Sequence, residues 1–138
     1  MRILGIDYGD SRVGTAISDA LGITAQGLET ITHNGNDKIL LKKIDEIFEK
    51  YPDIETIVVG MPYNMDGTKT VRAEVTEKFI HKLKCKYNKV KIETVDERLT
   101  TVAAHKTMNF LDVNKTKKRG IVDTISAVYI LETYMNKK

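Results

Sequence analysis

A short apolar run near the middle of the chain limits the folds that it can adopt. Thr56-Ile57-Val58-Val59 does not alternate apolar and polar residues, and it is followed by Gly60-Met61-Pro62. This pattern is typical of a strand that is buried on both faces, because a strand with one face in water alternates. We therefore expect a sheet that is covered on both sides. A chain of 138 residues has room for one such domain, over residues 1–138, and for no second one.

Patterns on either side of this run predict the remaining elements. Apolar alternation and turn residues predict strands, and apolar residues at helical spacing predict helices. The expected strands are 3–6, 13–18, 28–32, 56–59 and 90–95, and the expected helices are 37–50, 71–87, one from about 100, and 117–134. This order predicts an α/β fold in which a five-stranded mixed sheet, a three-strand antiparallel meander plus two parallel strands, is flanked by helices.

Composition excludes several classes of protein and mildly favours a polyanionic partner. No segment reaches the roughly 20 apolar residues of a membrane span, and the brief apolar N-terminus is too short for a signal peptide. A single cysteine cannot form an internal disulfide, which agrees with a cytoplasmic location. The net charge is +3, and residues 79–91 hold five lysines without one acid. Such basic segments suit a phosphate backbone, although solvated surface explains them equally well.

Acidic residues stand at positions where a fold alone does not require them. Asp7 follows an apolar strand, and Glu97 follows another, with Asp96 beside it. Asp123 shares one side of an apolar helix with Ala127 and Ile130, where a carboxylate needs a partner. Structural roles are open for each acid: a turn cap for Asp7, and a helix N-terminal position for Glu97 and for Asp123.

Carboxylates that converge at the ends of strands repel one another unless cations neutralise them. Hard divalent ions such as Mg²⁺ or Mn²⁺ bind carboxylate oxygens and water, and a pair of them supports phosphodiester cleavage. The histidines offer no alternative, because His33, His81 and His105 lack metal-ligand spacing and are expected at the surface. Acids beside basic segments therefore favour a nuclease.

Four motifs follow one another along the chain in a specific order. They are Gly5-Ile6-Asp7-Tyr8-Gly9 with Arg12-Val13-Gly14, Val59-Gly60-Met61-Pro62-Tyr63-Asn64-Met65-Asp66-Gly67, Asp96-Glu97-Arg98-Leu99-Thr100-Thr101, and Gly120-x-Val122-Asp123 followed by Ser126-Ala127. With these motifs the chain resembles the YqgF/RuvX family, pre-16S rRNA nucleases also described as Holliday junction resolvases, over nearly its whole length. The resemblance implies an RNase H-like fold with Asp7 on the central strand. It also implies that Asp7, Glu97 and Asp123 are catalytic metal ligands, with Asp96 as a helper.

Basic and amide side chains near these motifs are candidates for substrate binding. The loop from Gly60 to Gly67 leads into a helix whose start would place donors and a positive helix end beside a phosphate. The same loop is also explained as a simple strand-to-helix connection. The candidate substrate-binding residues are Arg12, Asn64, Lys69, Arg72, Arg98 and Arg119.

Three functions fit these residues. The first is a metal-dependent endonuclease that, by the family resemblance, processes the 5′ end of precursor 16S rRNA during ribosome maturation, with ribosome-associated RNA as partner. The second is a resolvase that cuts four-way DNA junctions, which requires a symmetric dimer. The third is a noncatalytic RNA-binding assembly factor. The sequence leaves open whether the chain is a monomer or a homodimer, and it predicts no membrane partner.

Overall fold

A five-stranded mixed sheet forms the centre of the molecule. The structure, a computed structural model, describes residues 1–64, 66–97 and 115–136, and for 115–122 the backbone alone. The strands are β1 (Arg2–Tyr8), β2 (Arg12–Ser18), β3 (Ala25–Thr32), β4 (Ile54–Met61) and β5 (Lys91–Asp96), in the spatial order β3-β2-β1-β4-β5. The first three form an antiparallel meander, and β4 and β5 continue the sheet in parallel with β1. The predicted sheet, with Asp7 on its central strand, is therefore confirmed.

Within the described residues, three helices cover the sheet: α1 (Asp37–Lys50), α2 (Val71–Lys86) and α3 (Lys115–Asn136). The side chain of Asn36 caps α1 by accepting from the backbone N–H of Lys38, and Thr70 caps α2 by accepting from that of Ala73. The bounds of α1 are those that the apolar stripe predicts. The helix predicted from about residue 100 lies outside the described residues. None of the helices in the described part of the chain is both long and apolar enough to span a membrane.

The apolar run in β4 does bury both of its faces. Ile57 and Val59 belong to the core that β1 to β4 form with α1 and α2. Val58, between them, belongs to a second core under α3. Alternate residues of one strand point to opposite faces of a sheet, so each core receives every second residue. The sheet is thus a middle layer between two helical layers.

Glycines in the sheet allow α3 to approach it closely. A Cβ at Gly14 would lie 1.9 Å from the backbone oxygen of Asp123, and one at Gly27 would lie 2.4 Å from Cγ2 of Thr124. Thr124 also hydrogen-bonds Thr30, hydroxyl to hydroxyl, at 3.0 Å. These contacts fix the third turn of α3 against β2 and β3.

Two expectations about single residues were wrong. Gly60 was expected to end its strand, yet β4 continues through Met61 because its ladder with β5 pairs Gly60 with Val95 and Met61 with Asp96. His33 was expected at the surface but is only 1% exposed. Its Nδ1 accepts the backbone N–H of Gly35 at 3.1 Å, so Nε2 carries the proton and donates to the Gly9 carbonyl at 2.8 Å.

Candidate active site

Asp7 lies near the end of β1, where it pairs with Gly14 of β2. Residues two apart on a strand share a face, and a Cβ at Gly5 would meet the backbone of Ala127 in α3 at 3.0 Å. Asp7 therefore points to the α3 side of the sheet. Because it is a paired strand residue, it does not have the turn-capping role that the sequence left open.

Glu97 follows β5 and is held by the backbone. Its N–H donates to the carbonyl of Met61 at 3.2 Å, and the residue is only 6% exposed. Its carboxyl group is hydrogen-bonded to that of Asp7. A Cβ at Gly60 would lie 2.6 Å from Oε2 of Glu97, so a glycine at this position leaves the space that the carboxylate occupies. The possible role of Glu97 at a helix N-terminus concerns residues that the structure does not describe.

Asp123 comes to the same end of the sheet from α3. The helix begins at Lys115, so Asp123 is not a first-turn acid, and its backbone lies over Gly14, the partner of Asp7. Its Oδ2 is buried and accepts no hydrogen bond from the described residues. The Nε of Arg12 lies 3.4 Å from this oxygen, which makes an ion pair without hydrogen-bond geometry.

Each of the three carboxyl groups has a raised pKa. For Asp7 the first cause is desolvation, and the hydrogen-bonded Glu97 and the charge of Asp123 raise the pKa further, to well above its usual range. Desolvation also raises the pKa of Glu97 and of Asp123. Carboxylates at this site are therefore stabilised by a proton or by a cation.

Arg72, at the start of α2, is the cation that acts on all three acids. Its charge opposes the rise in the pKa of Asp7, of Glu97 and of Asp123. Its Nη2 donates to the carbonyl oxygen of Tyr8 at 3.3 Å, which ties α2 to the end of β1. The sequence suggested Arg72 as a phosphate contact, but its place beside the acids depends on tertiary structure.

The structure does not place the other predicted site residues in this cluster. Asp96 is exposed and adds negative charge beside Glu97, but strand alternation directs it to the opposite face, so its role as a metal ligand stays a prediction. The side-chain amide of Asn64 donates to Thr68 within its own loop. Lys69 pairs with Glu77 on α2 at 2.8 Å. Arg98 and the side chain of Arg119 lie outside the described residues.

The donor set has the chemistry that a hard divalent cation requires, although its side chains are not arranged around one. Among the described residues, no three histidine, cysteine or acidic side chains stand at the spacing of a ready metal site. Asp7 and Glu97 are hydrogen-bonded to each other, and Asp123 is turned toward Arg12. The desolvated carboxylates and the buried Oδ2 of Asp123 fit a hard divalent ion.

Solved structures of other proteins share the fold of this chain. The fowlpox virus resolvase in complex with Holliday junction DNA matches with a TM-score of 0.60 at 10% identity, covering 99% of this chain and 98% of the resolvase. Thermus thermophilus RuvC with a Holliday junction substrate matches with a TM-score of 0.57 at 11% identity, covering 99% and 96%. At such low identity the likeness concerns the fold alone. The chain has the RNase H-like fold of these resolvases, as the sequence predicted.

Sequence similarity then identifies the family. A family model described as "RuvX: Holliday junction resolvase" matches residues 1–137. A protein of Acetivibrio thermocellus is 51% identical over 138 residues, covering 100% of this chain and 97% of its own length. One of Ruminiclostridium cellulolyticum is 53% identical over 137 residues, covering 99% and 95%. Both carry the name "Putative pre-16S rRNA nuclease". The chain belongs to the RuvX family.

Proposed function

We propose that this protein is an endonuclease that hydrolyses phosphodiester bonds and depends on a divalent metal ion. The observation that carries the proposal is the approach of Asp7, Glu97 and Asp123, from three separate elements, at the carboxyl end of β1 and β5. Ligands of open α/β sheets bind outside the carboxyl ends of the strands. Raised pKa values in such a crevice are typical of a functional site.

Asp7, Glu97 and Asp123 would hold Mg²⁺ or Mn²⁺, and Asp96 is the candidate for a fourth ligand. When bound, the ion supplies Lewis-acid stabilisation of the phosphodiester and a water activated for attack. Asp7 and Glu97 would hold the ion as carboxylates, with the proton of their hydrogen bond released to water, and the backbone bond from Glu97 to Met61 would keep that carboxylate in place. Arg72, tied to the Tyr8 carbonyl, provides a fixed positive charge for a phosphate oxygen.

RNA is the proposed substrate, and precursor 16S rRNA is the specific candidate. Support comes from the names of the relatives that share 51% and 53% of their aligned residues with this chain. A four-way DNA junction is the second candidate, favoured by the description of the family and by the fold shared with junction resolvases. The second candidate requires a homodimer. The predicted cytoplasmic location is part of the proposal.

The experiment that tests the proposal presents both substrates to the protein side by side. An end-labelled fragment of the 5′ region of precursor 16S rRNA and a four-way DNA junction are incubated with Mn²⁺, with Mg²⁺ or with EDTA. Cleavage of RNA alone, abolished by EDTA, is the expected result. Symmetric cutting of the junction would favour the second candidate. Tight RNA binding without cleavage of either substrate would favour the noncatalytic assembly factor and contradict the proposal.

A further inference from the structure

A groove of about 410 Å³ lies on the face of the sheet that α2 covers. Its lining includes Met61, Tyr63, Lys69, His81, Lys84 and Thr94. We propose that this groove binds a single-stranded segment of RNA that flanks the bond to be cleaved. The proposal rests on the proposed function in one respect, namely that the bound RNA leads to the bond that is cleaved. The binding of RNA in the groove does not itself require catalysis.

The groove lies at the same end of the sheet as the carboxylate cluster but on the opposite face, since Asp7 points to the α3 side. The carbonyl of Met61, which lines it, accepts the backbone N–H of Glu97 at 3.2 Å. Thr94, which also lines the groove, precedes Glu97 by three residues, which corresponds to about 10 Å along a strand. Asp96 lies between them on the same face as Thr94, so RNA that leaves the groove would pass this acidic side chain and the end of the edge strand β5 before it reaches the cluster on the other face.

Tyr63 offers a flat surface for a base. It is half-buried and packs against the main core, directly after the buried Pro62. The loop that carries it is held by its own hydrogen bonds, from Thr70 Oγ1 to the Pro62 carbonyl at 2.7 Å and from the Asn64 N–H to the Thr68 carbonyl at 2.9 Å. An aromatic ring that packs against the core from a hydrogen-bonded loop can stack on an unpaired base of any type with little further ordering.

The walls of the groove carry positive charge for the backbone. Lys69 and Lys84 line the groove, and Lys78 and Lys82 line the hollow beside it, which also contains Lys69. These lysines outnumber the glutamates of the same walls, Glu74 and Glu77. Lys69 is paired with Glu77 and Lys82 with Asp37, so Lys84 and Lys78 are the lysines that we expect to contact phosphate first.

The lining favours a single strand over a duplex. The groove is lined by the Tyr63 ring, by side chains of α2 and by residues near the carboxyl ends of β4 and β5. Proteins that bind single-stranded nucleic acid combine a positive groove with aromatic stacking, whereas double-stranded RNA is bound across its grooves. A base that stacks on Tyr63 must be unpaired.

The test is binding of a fluorescein-labelled single-stranded oligouridylate, measured by fluorescence anisotropy in EDTA so that no cleavage occurs. Tyr63→Leu and Lys84→Gln should each raise the Kd about tenfold. Lys84→Gln should also reduce the slope of log K against log salt by about 0.7. The matched controls, Lys42→Gln on α1 and Tyr51→Leu directly after it, should stay within twofold of wild type. Tyr63→Phe keeps the ring and should bind as wild type does, and thermal melts establish that each variant is folded.

The outcomes separate this groove from the proposed nuclease. If Tyr63→Leu and Lys84→Gln bind the oligouridylate within twofold of wild type, the groove is not an RNA-binding site, whatever the cleavage assay shows. Equal loss of binding to blunt duplex RNA and to the single strand overturns the assignment of a single-stranded ligand. Loss that is confined to single strands supports it, and does so even if the wild-type protein proves to cleave no substrate, a result that would overturn the nuclease alone.

Discussion

Asp7, Glu97 and Asp123 are held at a cost to the fold. Desolvation raises the pKa of each carboxyl group, and the negative charges of Glu97 and Asp123 add to the rise at Asp7. Neutral residues of the same size would make the protein more stable. Buried carboxyl groups with raised pKa values are therefore expected where function requires them. The cost can be measured through its dependence on pH.

Asp7→Asn should stabilise the protein in EDTA at pH 8, with a rise in Tm of about 3 °C. The folded-state pKa of Asp7 lies above its unfolded value, so the native state binds more protons and the free energy of unfolding falls as pH rises through that interval. Below the unfolded pKa of about 3.9 this penalty is absent, and the advantage of the variant should vanish. Thermal melts from pH 3.5 to 8 check this, with the exposed Glu55→Gln as control. An advantage that is constant with pH would contradict the account.

At the scale of single residues, the sequence indicates the acids but not their surroundings. Asp7 and Glu97 could be identified because each follows a run that predicts a strand, although Asp7 proves to lie within β1, and Asp123 because it interrupts an apolar helix face. The place of Arg72 beside all three acids depends on a contact with the Tyr8 carbonyl, 64 residues away in sequence. The burial of His33 likewise depends on the Gly9 carbonyl in another turn. Local patterns carry no information about such contacts.

At the scale of secondary-structure elements, the position of α3 on the sheet brings Asp123 to the site. The backbone of α3 lies against Gly14, and the Thr124 side chain lies against Gly27. Glycine within a strand often marks the close approach of another backbone. Any side chain at position 14 must therefore displace the helix and, with it, the carboxylate.

Gly14→Ala should destabilise the protein by about 3 kcal/mol, because the added Cβ meets the backbone of α3. Gly27→Ala should cost about 1–2 kcal/mol, since it meets a methyl group instead. Thr124→Ser removes that methyl group and keeps the hydroxyl that bonds Thr30. It should rescue Gly27→Ala but not Gly14→Ala, as measured by urea unfolding. Rescue of both variants would show that α3 is not held by its backbone contact with β2.

Element bounds were predictable where one pattern decided them. The 14 residues of α1 have a capping asparagine, an apolar stripe and a following proline, and its bounds are those expected. The end of β4 was not predictable in this way, because Gly60 and Pro62 resemble a turn in sequence. Pairing with β5 instead keeps Gly60 and Met61 in the strand, and only the tertiary structure contains that pairing.

At the scale of the whole molecule, elements from distant parts of the chain meet at one end of the sheet. A ligand held by Asp7, Glu97 and Asp123 connects β1, the residue after β5, and α3. Binding to the native state alone stabilises it, by about 2.7 kcal/mol at a concentration of 100 times the Kd. Mn²⁺ should therefore raise the Tm of the wild-type protein by several degrees and leave that of Asp7→Asn unchanged. Equal rises in both proteins, measured by differential scanning calorimetry, would place the ion elsewhere.

The central claim is that these three carboxylates form the centre that cleaves nucleic acid. The measurement that tests it most directly is the single-turnover rate of cleavage of the precursor 16S rRNA fragment in Mn²⁺. Asp7→Asn, Glu97→Gln and Asp123→Asn are compared with wild type and with Glu55→Gln, an exposed acid near the opposite end of β4. The account predicts that each of the three substitutions lowers the rate by a factor of at least about 10³, while Glu55→Gln cleaves at the wild-type rate. Wild-type rates in any of the three folded variants would contradict it.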